Sequence, residues 1–245
     1  MLKYVYAGDI RIPSYGMMIV VGIVICNLIA QISLRNSKKQ YLDFLQIELF
    51  GGLGAIAGAK ILTIIKNFAG EEAISLSWNT FKEAGYSYYG GLAGFFLLSW
   101  LVCKARNIDG RIYAERYIYL LSLLHFFWKI GCLMGGCCYG IEYNGPVAIC
   151  YPEGINEMSG VNVFPAPLLE AVVALIIMVI ILLLLRLGRL FEPIGTYLIL
   201  YGTARFFLEM TRFHKNDAFI KEAQVFSVFA VCIGITLVIK NHRKE

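Results

Sequence analysis

Runs of apolar residues long enough to cross a lipid bilayer make up most of this chain, and a few ionisable side chains lie inside them. The basic ones are Lys60, Lys129 and Arg205, and they are accompanied by Glu170 and Glu209. A charge at the centre of a bilayer costs about 3 kcal/mol or more, so such a residue normally faces a protein interior and marks a functional site. The sequence therefore predicts a polytopic membrane protein with a buried, charged cavity.

Composition excludes an ordinary soluble domain. Hydrophobic residues make up 58% of the chain and charged residues 16%, against roughly 25% charged in soluble domains. Runs of about 17 to 25 apolar residues predict an all-α fold with seven transmembrane helices in one integral membrane domain, residues 1–245. The predicted spans are 14–34, 44–65, 88–102, 113–134, 167–185, 193–210 and 223–239.

The Lys and Arg residues between these spans are unevenly distributed, which predicts the orientation. Twelve of them fall on one side and seven on the other. The positive-inside rule then places the N-terminus outside and the C-terminus in the cytoplasm, with the loops at 66–85 and 139–166 facing outward. The first span lacks a basic segment before it, so we expect it to be retained rather than cleaved. The net charge of +5 reflects the cytoplasmic loops and gives no support for nucleic-acid binding.

Four cysteines, Cys132, Cys137, Cys138 and Cys150, follow or end the fourth span, in and after the segment WKIGCLMGGCCYG. A metal site or a redox relay is conceivable there. The segment has no CxxC spacing and no nearby histidine, so we predict packing cysteines and no metal or other cofactor, with the redox and metal alternatives left open.

Glycines four residues apart occur in several spans, and such pairs allow two helices to approach closely. Helix packing is a sufficient explanation for most of them. Gly90 and Gly91 have a second interpretation, because glycine also lets a lipid headgroup reach backbone amides at a helix N-terminus. The pairs are Gly54 and Gly58, Gly90 and Gly94, Gly131 and Gly135, and Gly136 and Gly140.

The sixth span ends with Arg205, Glu209 and Arg212 at positions i, i+4 and i+7, which predicts a shared helix face. They could form an ion-pair network that orients the helices. A guanidinium also offers a bidentate fork that matches phosphate, which favours a functional role for Arg205. Lys129 presents the same choice, and His125, one turn before it, is a candidate proton carrier or a hydrogen-bonded interior histidine.

Six segments occur in the order and spacing of the prolipoprotein diacylglyceryl transferase family, which the chain resembles over nearly its whole length. This resemblance implies transfer of the diacylglyceryl group of phosphatidylglycerol to the lipobox cysteine thiol of a preprolipoprotein, with release of glycerol 1-phosphate and without metal or nucleotide. It implies three partners, phosphatidylglycerol, the preprolipoprotein signal peptide and the lipid bilayer, and a multi-pass location in the bacterial plasma (inner) membrane. The segments are YGMMIVVG from Tyr15, GAK from Gly58, YSYYGGLAG from Tyr86, KIGCLMGGCCYG from Lys129, FPAPLLE from Phe164 and YGTARFFLEMTR from Tyr201.

Several positions depart from the family pattern. Tyr89 stands where a histidine is usual, and Lys60 and Lys129 stand where arginine is usual. A phenol is a poor base at neutral pH, so we predict that Tyr89 donates a hydrogen bond to the lipid and that His125 accepts the proton. The resulting catalytic candidates are Arg205, Lys129, Tyr89 and His125. The candidates for substrate binding are Tyr15, Lys60, Gly90, Gly91, Gly140, Glu170, Glu209 and Arg212.

Other functions fit the same residues. The chain could act on a different acceptor, or transfer the phosphatidylglycerol headgroup without a lipoprotein. It could be a non-catalytic paralogue that binds phospholipid through the same cations. A membrane thiol oxidoreductase built on Cys132, Cys137 and Cys138 is a further alternative.

Overall fold

The fold is almost entirely helical in the computed structural model, which describes residues 4–8, 10–69, 87–187, 191–213 and 221–242. Two short antiparallel hairpins accompany the helices: β1 (Tyr4–Ala7) pairs with β2 (Ile10–Pro13), and β3 (Ile149–Cys150) pairs with β4 (Asn162–Val163). The long helices in this part of the chain are α1 (Ser14–Ser33), α2 (Lys38–Ala69), α3 (Tyr88–Arg106), α4 (Gly110–Gly135), α5 (Ala166–Arg186), α6 (Pro193–Leu208) and α7 (Glu222–His242).

Each predicted span coincides with one of these helices, with differences at the ends. Helix α3 runs to Arg106 rather than to residue 102, because Lys104 and Arg106 end an apolar run without ending a helix. It stops where Asn107 adopts the left-handed conformation at φ 52°. The predicted outward loop at 66–85 lies outside the described residues from position 70 onward.

Five of the described helices are long and apolar enough to cross a membrane: α1, α2, α4, α5 and α7. Many of their large apolar side chains are exposed, including Val24, Leu28 and Ile32 on α1, which suits a lipid environment. Helix α6 has 16 residues and is therefore only about 24 Å long, less than the hydrocarbon core of a bilayer. The count of seven spans and the orientation stay predictions.

The chain divides into two compact units, and the first consists of Ala30–Tyr113. Within it, α2 and α3 pack against each other through glycines. A methyl group at Gly54 would overlap the carbonyl oxygen of Gly94, and one at Gly58 would overlap that of Gly90. The reciprocal overlaps hold at Gly90 and Gly94, so the packing explanation for these two pairs is confirmed.

The second unit comprises Met1–Ile29 and Ala114–Glu245. Its core contains Ile177 and Ile181 of α5 and Tyr197 of α6. Small residues again allow close helix contacts, since Gly195 of α6 and Gly234 of α7 lie against each other's carbonyl oxygens. All the residues of the ion cluster described next belong to this unit.

Candidate functional site

Five charged side chains meet in the interior of the second unit and form what we call the ion cluster: Lys129, Glu170, Arg205, Glu209 and Arg212. Glu170 is its centre, with Oε2 2.6 Å from Nζ of Lys129 and Oε1 3.1 Å from Nε of Arg212. Glu209 accepts Nη2 of Arg205 at 2.7 Å and lies 3.7 Å from Nη1 of Arg212. Lys129, Glu170 and Glu209 are 8%, 2% and 4% exposed, so these charges are held away from solvent.

The balance of charge in this cluster favours an anion. Three cations and two carboxylates leave a formal net charge of +1. Nη1 of Arg205 is buried 3.8 Å from Oε1 of Glu170, beyond hydrogen-bonding distance, and has no hydrogen-bond partner among the described residues. A buried donor without an acceptor costs about 1–3 kcal/mol, so a ligand oxygen placed there would be stabilising.

The three residues at the end of the sixth span do not share one helix face, and that prediction is corrected. Helix α6 ends at Leu208, Glu209–Thr211 form a 3₁₀ turn, and Arg212 is extended at φ −90° and ψ 144°. Arg212 forms a β-bridge with Gly140, which continues the helix into a strand-like segment. Its side chain nevertheless reaches both glutamates, because the bridge fixes the backbone beside them.

Gly140 is the point where three of the family-like segments meet. Its amide donates to the carbonyl of Phe164 at 3.0 Å, and the amide of Ile141 donates to the carbonyl of Thr211 at 3.1 Å. An added Cβ at Gly140 would lie 2.6 Å from the Phe164 oxygen and 2.7 Å from the Thr211 oxygen. A side chain at this position would separate the segments that carry Lys129, Glu170 and Arg212.

A small pocket opens beside the ion cluster. His125, Glu170 and Arg205 all contribute to its wall, so the structure brings together the candidate proton acceptor and the candidate phosphate ligand. The ring of His125 contacts that of Tyr201 edge-on, with centroids 5.2 Å apart. The rest of the wall is apolar and comes from α5 and α6: Val173, Ala174, Ile177, Ala204 and Leu208. The wall of the pocket therefore combines charged side chains with apolar ones.

Tyr15 lies in the first turn of α1, next to the last turns of α4. Its ring meets that of Trp128 edge-on at 6.2 Å, and its backbone packs against Gly131, where an added Cβ would be 3.1 Å away. The Tyr15 hydroxyl also interacts electrostatically with Cys132 and the two cysteines that follow α4. The YGMM and KIGC segments are thereby joined in space.

The remaining candidates, Lys60, Tyr89, Gly90 and Gly91, belong to the first unit. Lys60 is 7% exposed in the middle of α2. Ser87 caps α3: its hydroxyl accepts from the Gly90 amide at 3.5 Å and its carbonyl accepts from the Gly91 amide at 3.0 Å. Both glycine amides thus have partners within the helix start, and Gly90 is packed against α2.

Three cysteines at the C-terminal end of α4 form a compact group, which we call the thiol cluster: Cys132 in the helix, and Cys137 and Cys138 after it. Helix α4 ends in a Schellman motif, in which Gly136 is left-handed at φ 72° and the Cys137 amide donates to the Cys132 carbonyl at 3.1 Å. This turn brings the backbone of Cys137 close to that of Cys132. The three sulfur atoms lie within 4.8 Å of one another.

Cys138 has an unusual backbone. It is left-handed at φ 59°, a conformation that costs a residue with a Cβ roughly 1–2 kcal/mol. Hydrogen bonds from the thiols of Cys132 and Cys137 lower the pKa of Cys138, and the positive charges of Arg212 and Lys129 lower it further. The sequence singled out these three cysteines together with Cys150, and the structure adds the helix-ending turn at Gly136 that brings their sulfur atoms together.

The described apolar helices define a multi-pass membrane protein whose interior holds a cluster of five charged side chains. The family model described as prolipoprotein diacylglyceryl transferase matches residues 3–240, and the chain belongs to this family. The chain is 26% identical over 237 residues to the phosphatidylglycerol–prolipoprotein diacylglyceryl transferase of Clostridium tetani, covering 92% of each chain.

Two further relatives carry the same description. Transferase 2 of Clostridium perfringens is 27% identical over 241 residues, covering 93% of this chain and 90% of the relative. The Staphylococcus haemolyticus protein is 26% identical over 251 residues, covering 97% and 86%. Similarity at this level extends along the whole chain and is not confined to the motifs.

Proposed function

We propose that this protein transfers the diacylglyceryl group of phosphatidylglycerol to the lipobox cysteine thiol of a prolipoprotein. The observation that carries the proposal is the ion cluster, whose net charge of +1 matches the single negative charge of a phosphodiester. Membership of the family and the names of the relatives support the same reaction. Three residues of the ion cluster, Lys129, Glu170 and Arg205, lie in segments that resemble the family pattern.

In this reaction the acceptor sulfur forms a bond to the terminal glyceryl carbon, and the bond from that carbon to the phosphate oxygen breaks. The electron pair leaves with glycerol 1-phosphate, so negative charge increases on the phosphate in the transition state. Fixed cations in a water-poor site stabilise such charge without reorganisation. Arg205, with its buried and unsatisfied Nη1, is the proposed ligand of the leaving phosphate, and Lys129 and Arg212 supply the surrounding positive field.

The acceptor thiol must lose a proton before it attacks, because the thiolate is the nucleophile. We assign the proton to His125, which lines the same pocket as Arg205. Tyr89 is proposed to donate a hydrogen bond to the lipid. Substrate contacts by Tyr15, Lys60, Gly90, Gly91 and Gly140 stay predictions, as do further roles for Glu170 and Glu209.

These roles can be separated by single-turnover transfer rates. Replacing His125 with Gln should cause a large loss and alter the pH dependence of the rate, whereas Tyr89→Phe should cause a modest loss. Tyr89→His should retain or raise activity, because an imidazole can also donate a hydrogen bond and accept a proton. An unchanged rate in His125→Gln would remove His125 from the mechanism.

We also propose the membrane arrangement expected from the sequence: a single integral membrane domain of seven spans, with an outside N-terminus and a cytoplasmic C-terminus, in the bacterial plasma membrane. Cysteine accessibility to a membrane-impermeant reagent tests it. A cysteine introduced at Lys38, between the first two spans, should react only after the membrane is permeabilised. A cysteine introduced at Tyr4 should react in intact cells, and the opposite pattern would contradict the orientation.

The reaction itself is tested with the purified chain, phosphatidylglycerol labelled in its acyl chains and a lipobox peptide. The label should appear on the peptide as a thioether and should not appear on a peptide with serine in place of the cysteine. Label that stays in phosphatidylglycerol, despite saturable lipid binding, would instead support the non-catalytic paralogue.

A further inference from the structure

The thiol cluster has the geometry of a site where a disulfide can form. The sulfur atoms of Cys132, Cys137 and Cys138 lie within 4.8 Å of one another. The amide nitrogen of Cys137 lies 3.1 Å from the carbonyl oxygen of Cys132, so the Cα atoms of these two residues are at most about 7 Å apart. Disulfides join Cα atoms about 4.4–6.8 Å apart. The turn that ends α4 therefore brings Cys132 and Cys137 within reach of a bridge.

Cys138 has the properties of the thiol that reacts first. Hydrogen bonds from the two other thiols lower its pKa, and the positive charges of Arg212 and Lys129 lower it further. Oxidants react with the thiolate, so a cysteine beside cations is oxidised selectively. Its left-handed backbone, at φ 59°, is a conformation that glycine would adopt at lower cost. Strain of this kind is characteristic of functional sites.

Tyr151 provides an independent observation. Its side chain is completely buried, and its hydroxyl interacts electrostatically with all three thiols. That hydroxyl has no hydrogen-bond partner among the residues that the structure describes. A buried phenol is usually hydrogen-bonded, so this one is placed to donate to a polar atom that arrives at the thiols. The oxygen of a peroxide is such an atom.

A small oxidant can reach the cluster from one side. Cys137 is exposed and Cys138 is partly exposed, whereas Cys132 is 2% exposed. The cluster precedes the loop at 139–166, which we predict to face outward, and disulfides form and persist in compartments outside the cytosol. The cluster thus combines two accessible thiols with one protected partner.

We propose that the thiol cluster is an oxidation switch, in which a peroxide converts Cys132 and Cys137 to a disulfide by way of Cys138. The Cys138 thiolate attacks one oxygen of hydrogen peroxide, the O–O bond breaks, and hydroxide leaves while Tyr151 donates to it. Cys132 then displaces the oxygen of the Cys138 sulfenic acid as water, which forms a first disulfide.

Exchange within the cluster completes the reaction. Cys137 attacks the sulfur of Cys132, and Cys138 departs as a thiolate, because a thiol of lower pKa is the better leaving group. The proton that Cys137 releases neutralises the hydroxide from the first step. In total, two thiols lose two electrons and two protons, and one hydrogen peroxide is reduced to two water molecules.

The disulfide would distort the site of the proposed function. Two sulfur atoms must move from as much as 4.8 Å apart to about 2.05 Å, which tightens the last turn of α4. Lys129 lies one turn before Cys132, and Gly140, which bridges to Arg212, follows Cys137 closely in sequence. The distortion would therefore reach the ion cluster from both ends. This effect on transfer rests on the proposed function, whereas the disulfide itself does not.

Disulfide formation is tested without reference to activity. The reduced full chain in detergent is treated with stoichiometric hydrogen peroxide, and its free thiols are blocked with N-ethylmaleimide. Oxidised cysteines are then reduced, labelled with a second reagent and located by mass spectrometry. Cys132 and Cys137 should carry the second label, and Cys138 and Cys150 the first. Cys150→Ser, on the same outer segment, is the matched control and should react like the wild type.

Two results of this experiment would overturn the proposal. One is a cluster whose thiols stay free under peroxide. The other is oxidation of Cys150 at the same rate as the cluster, which would mean that exposure alone decides reactivity.

Variants separate the roles within the cluster. Cys132→Ser removes the partner, and a bridge between the adjacent Cys137 and Cys138 is strained, so a sulfenic acid should persist at Cys138 and react with dimedone. Cys138→Ser should slow disulfide formation on the order of 10-fold, because the remaining thiols have ordinary reactivity. Equal rates in this variant and the wild type would contradict the role of Cys138. Tyr151→Phe should slow oxidation but not alkylation of Cys138 by iodoacetamide; an equal loss in both would mean a structural role.

Transfer by the same preparations tests the switch. The oxidised wild type should transfer the diacylglyceryl group on the order of 10-fold or more slowly than the reduced protein, because small displacements in a site are costly. Dithiothreitol should restore the rate, and Cys137→Ser should be insensitive to peroxide. Unchanged transfer by fully oxidised protein would contradict the inference alone. A disulfide that forms as expected, in protein whose reduced form transfers nothing, would contradict the proposed function alone.

Discussion

Replacing Arg205 with alanine should reduce diacylglyceryl transfer on the order of 100-fold or more. The variant removes the donor proposed for the leaving phosphate, and loss of one such preorganised donor costs about 3 kcal/mol of transition-state stabilisation. It also lowers the formal charge of the ion cluster from +1 to 0. Arg205→Lys keeps the charge but not the bidentate fork, so its rate should fall between those of the wild type and the alanine variant.

The same substitution should destabilise the fold, and this effect must be separated from catalysis. Without Arg205, the buried Glu209 carboxylate loses its 2.7 Å contact with Nη2 of that residue, while the nitrogen of Arg212 stays at 3.7 Å. Removing one partner of a buried pair costs about 3–5 kcal/mol. Adding Glu209→Gln removes the carboxylate that had lost its partner Arg205 and restores the formal net charge of the ion cluster to +1. The double variant should therefore regain much of the lost thermal stability without regaining the rate.

Two assays on the same preparations distinguish a structural role of Arg205 from a catalytic one. Thermal unfolding in detergent, followed by circular dichroism, reports stability, and single-turnover transfer from labelled phosphatidylglycerol reports chemistry. If the double variant recovers the wild-type rate together with stability, Arg205 has a structural role and no direct contact with the phosphate. Full activity in a stably folded Arg205→Ala protein would refute the assignment outright.

Three further outcomes are expected. Gly58→Ala should lower stability by about 1–3 kcal/mol, because its methyl group would overlap the Gly90 carbonyl oxygen, whereas Gly52→Ala, with open space around it, should not; thermal unfolding measures both. Gly136→Ala should be more destabilising than Gly154→Ala. Both glycines have positive φ, but a methyl group at Gly136 would overlap the side chain of Ile155, whereas one at Gly154 would meet no atom within 4 Å. Alkylation of Cys138 should slow less between about pH 8 and pH 6 than alkylation of a thiol of ordinary pKa near 8.5, such as glutathione in the same series, because the pKa of Cys138 is lowered. The ordinary thiol should slow on the order of 80-fold. Equal stability within either glycine pair, or an ordinary pH profile at Cys138, would contradict the corresponding argument.

Much of the fold is predictable from hydropathy alone, because apolar helices in a bilayer must satisfy their own backbone hydrogen bonds. Helix ends are less predictable. Charged residues marked the end of the third span, yet Lys104 stays in the helix with its ammonium 5.2 Å from the centre of the Trp100 ring. The end of α6 depends on a bridge between Arg212 and Gly140, which are distant in sequence. No local pattern specifies such a contact.

The candidate site was likewise predictable only in part. Lys129, Glu170 and Arg205 could be identified because charges in apolar helices are costly and therefore informative. That one carboxylate, Glu170, pairs with three cations from two distant segments depends on tertiary packing and was not predictable. The cysteines of the thiol cluster were singled out from the sequence, but the close approach of their sulfur atoms was not predictable, because it comes from a helix-ending turn.

The central claim is that this chain catalyses transfer, and product stoichiometry tests it most directly. Phosphatidylglycerol labelled separately in its acyl chains and in its headgroup glycerol would be incubated with purified protein and the lipobox cysteine peptide. We expect acyl label on the peptide and headgroup label in soluble glycerol phosphate to appear in equal amounts and at equal rates. Release of headgroup label without peptide modification, or no release at all from lipid that binds, would contradict it.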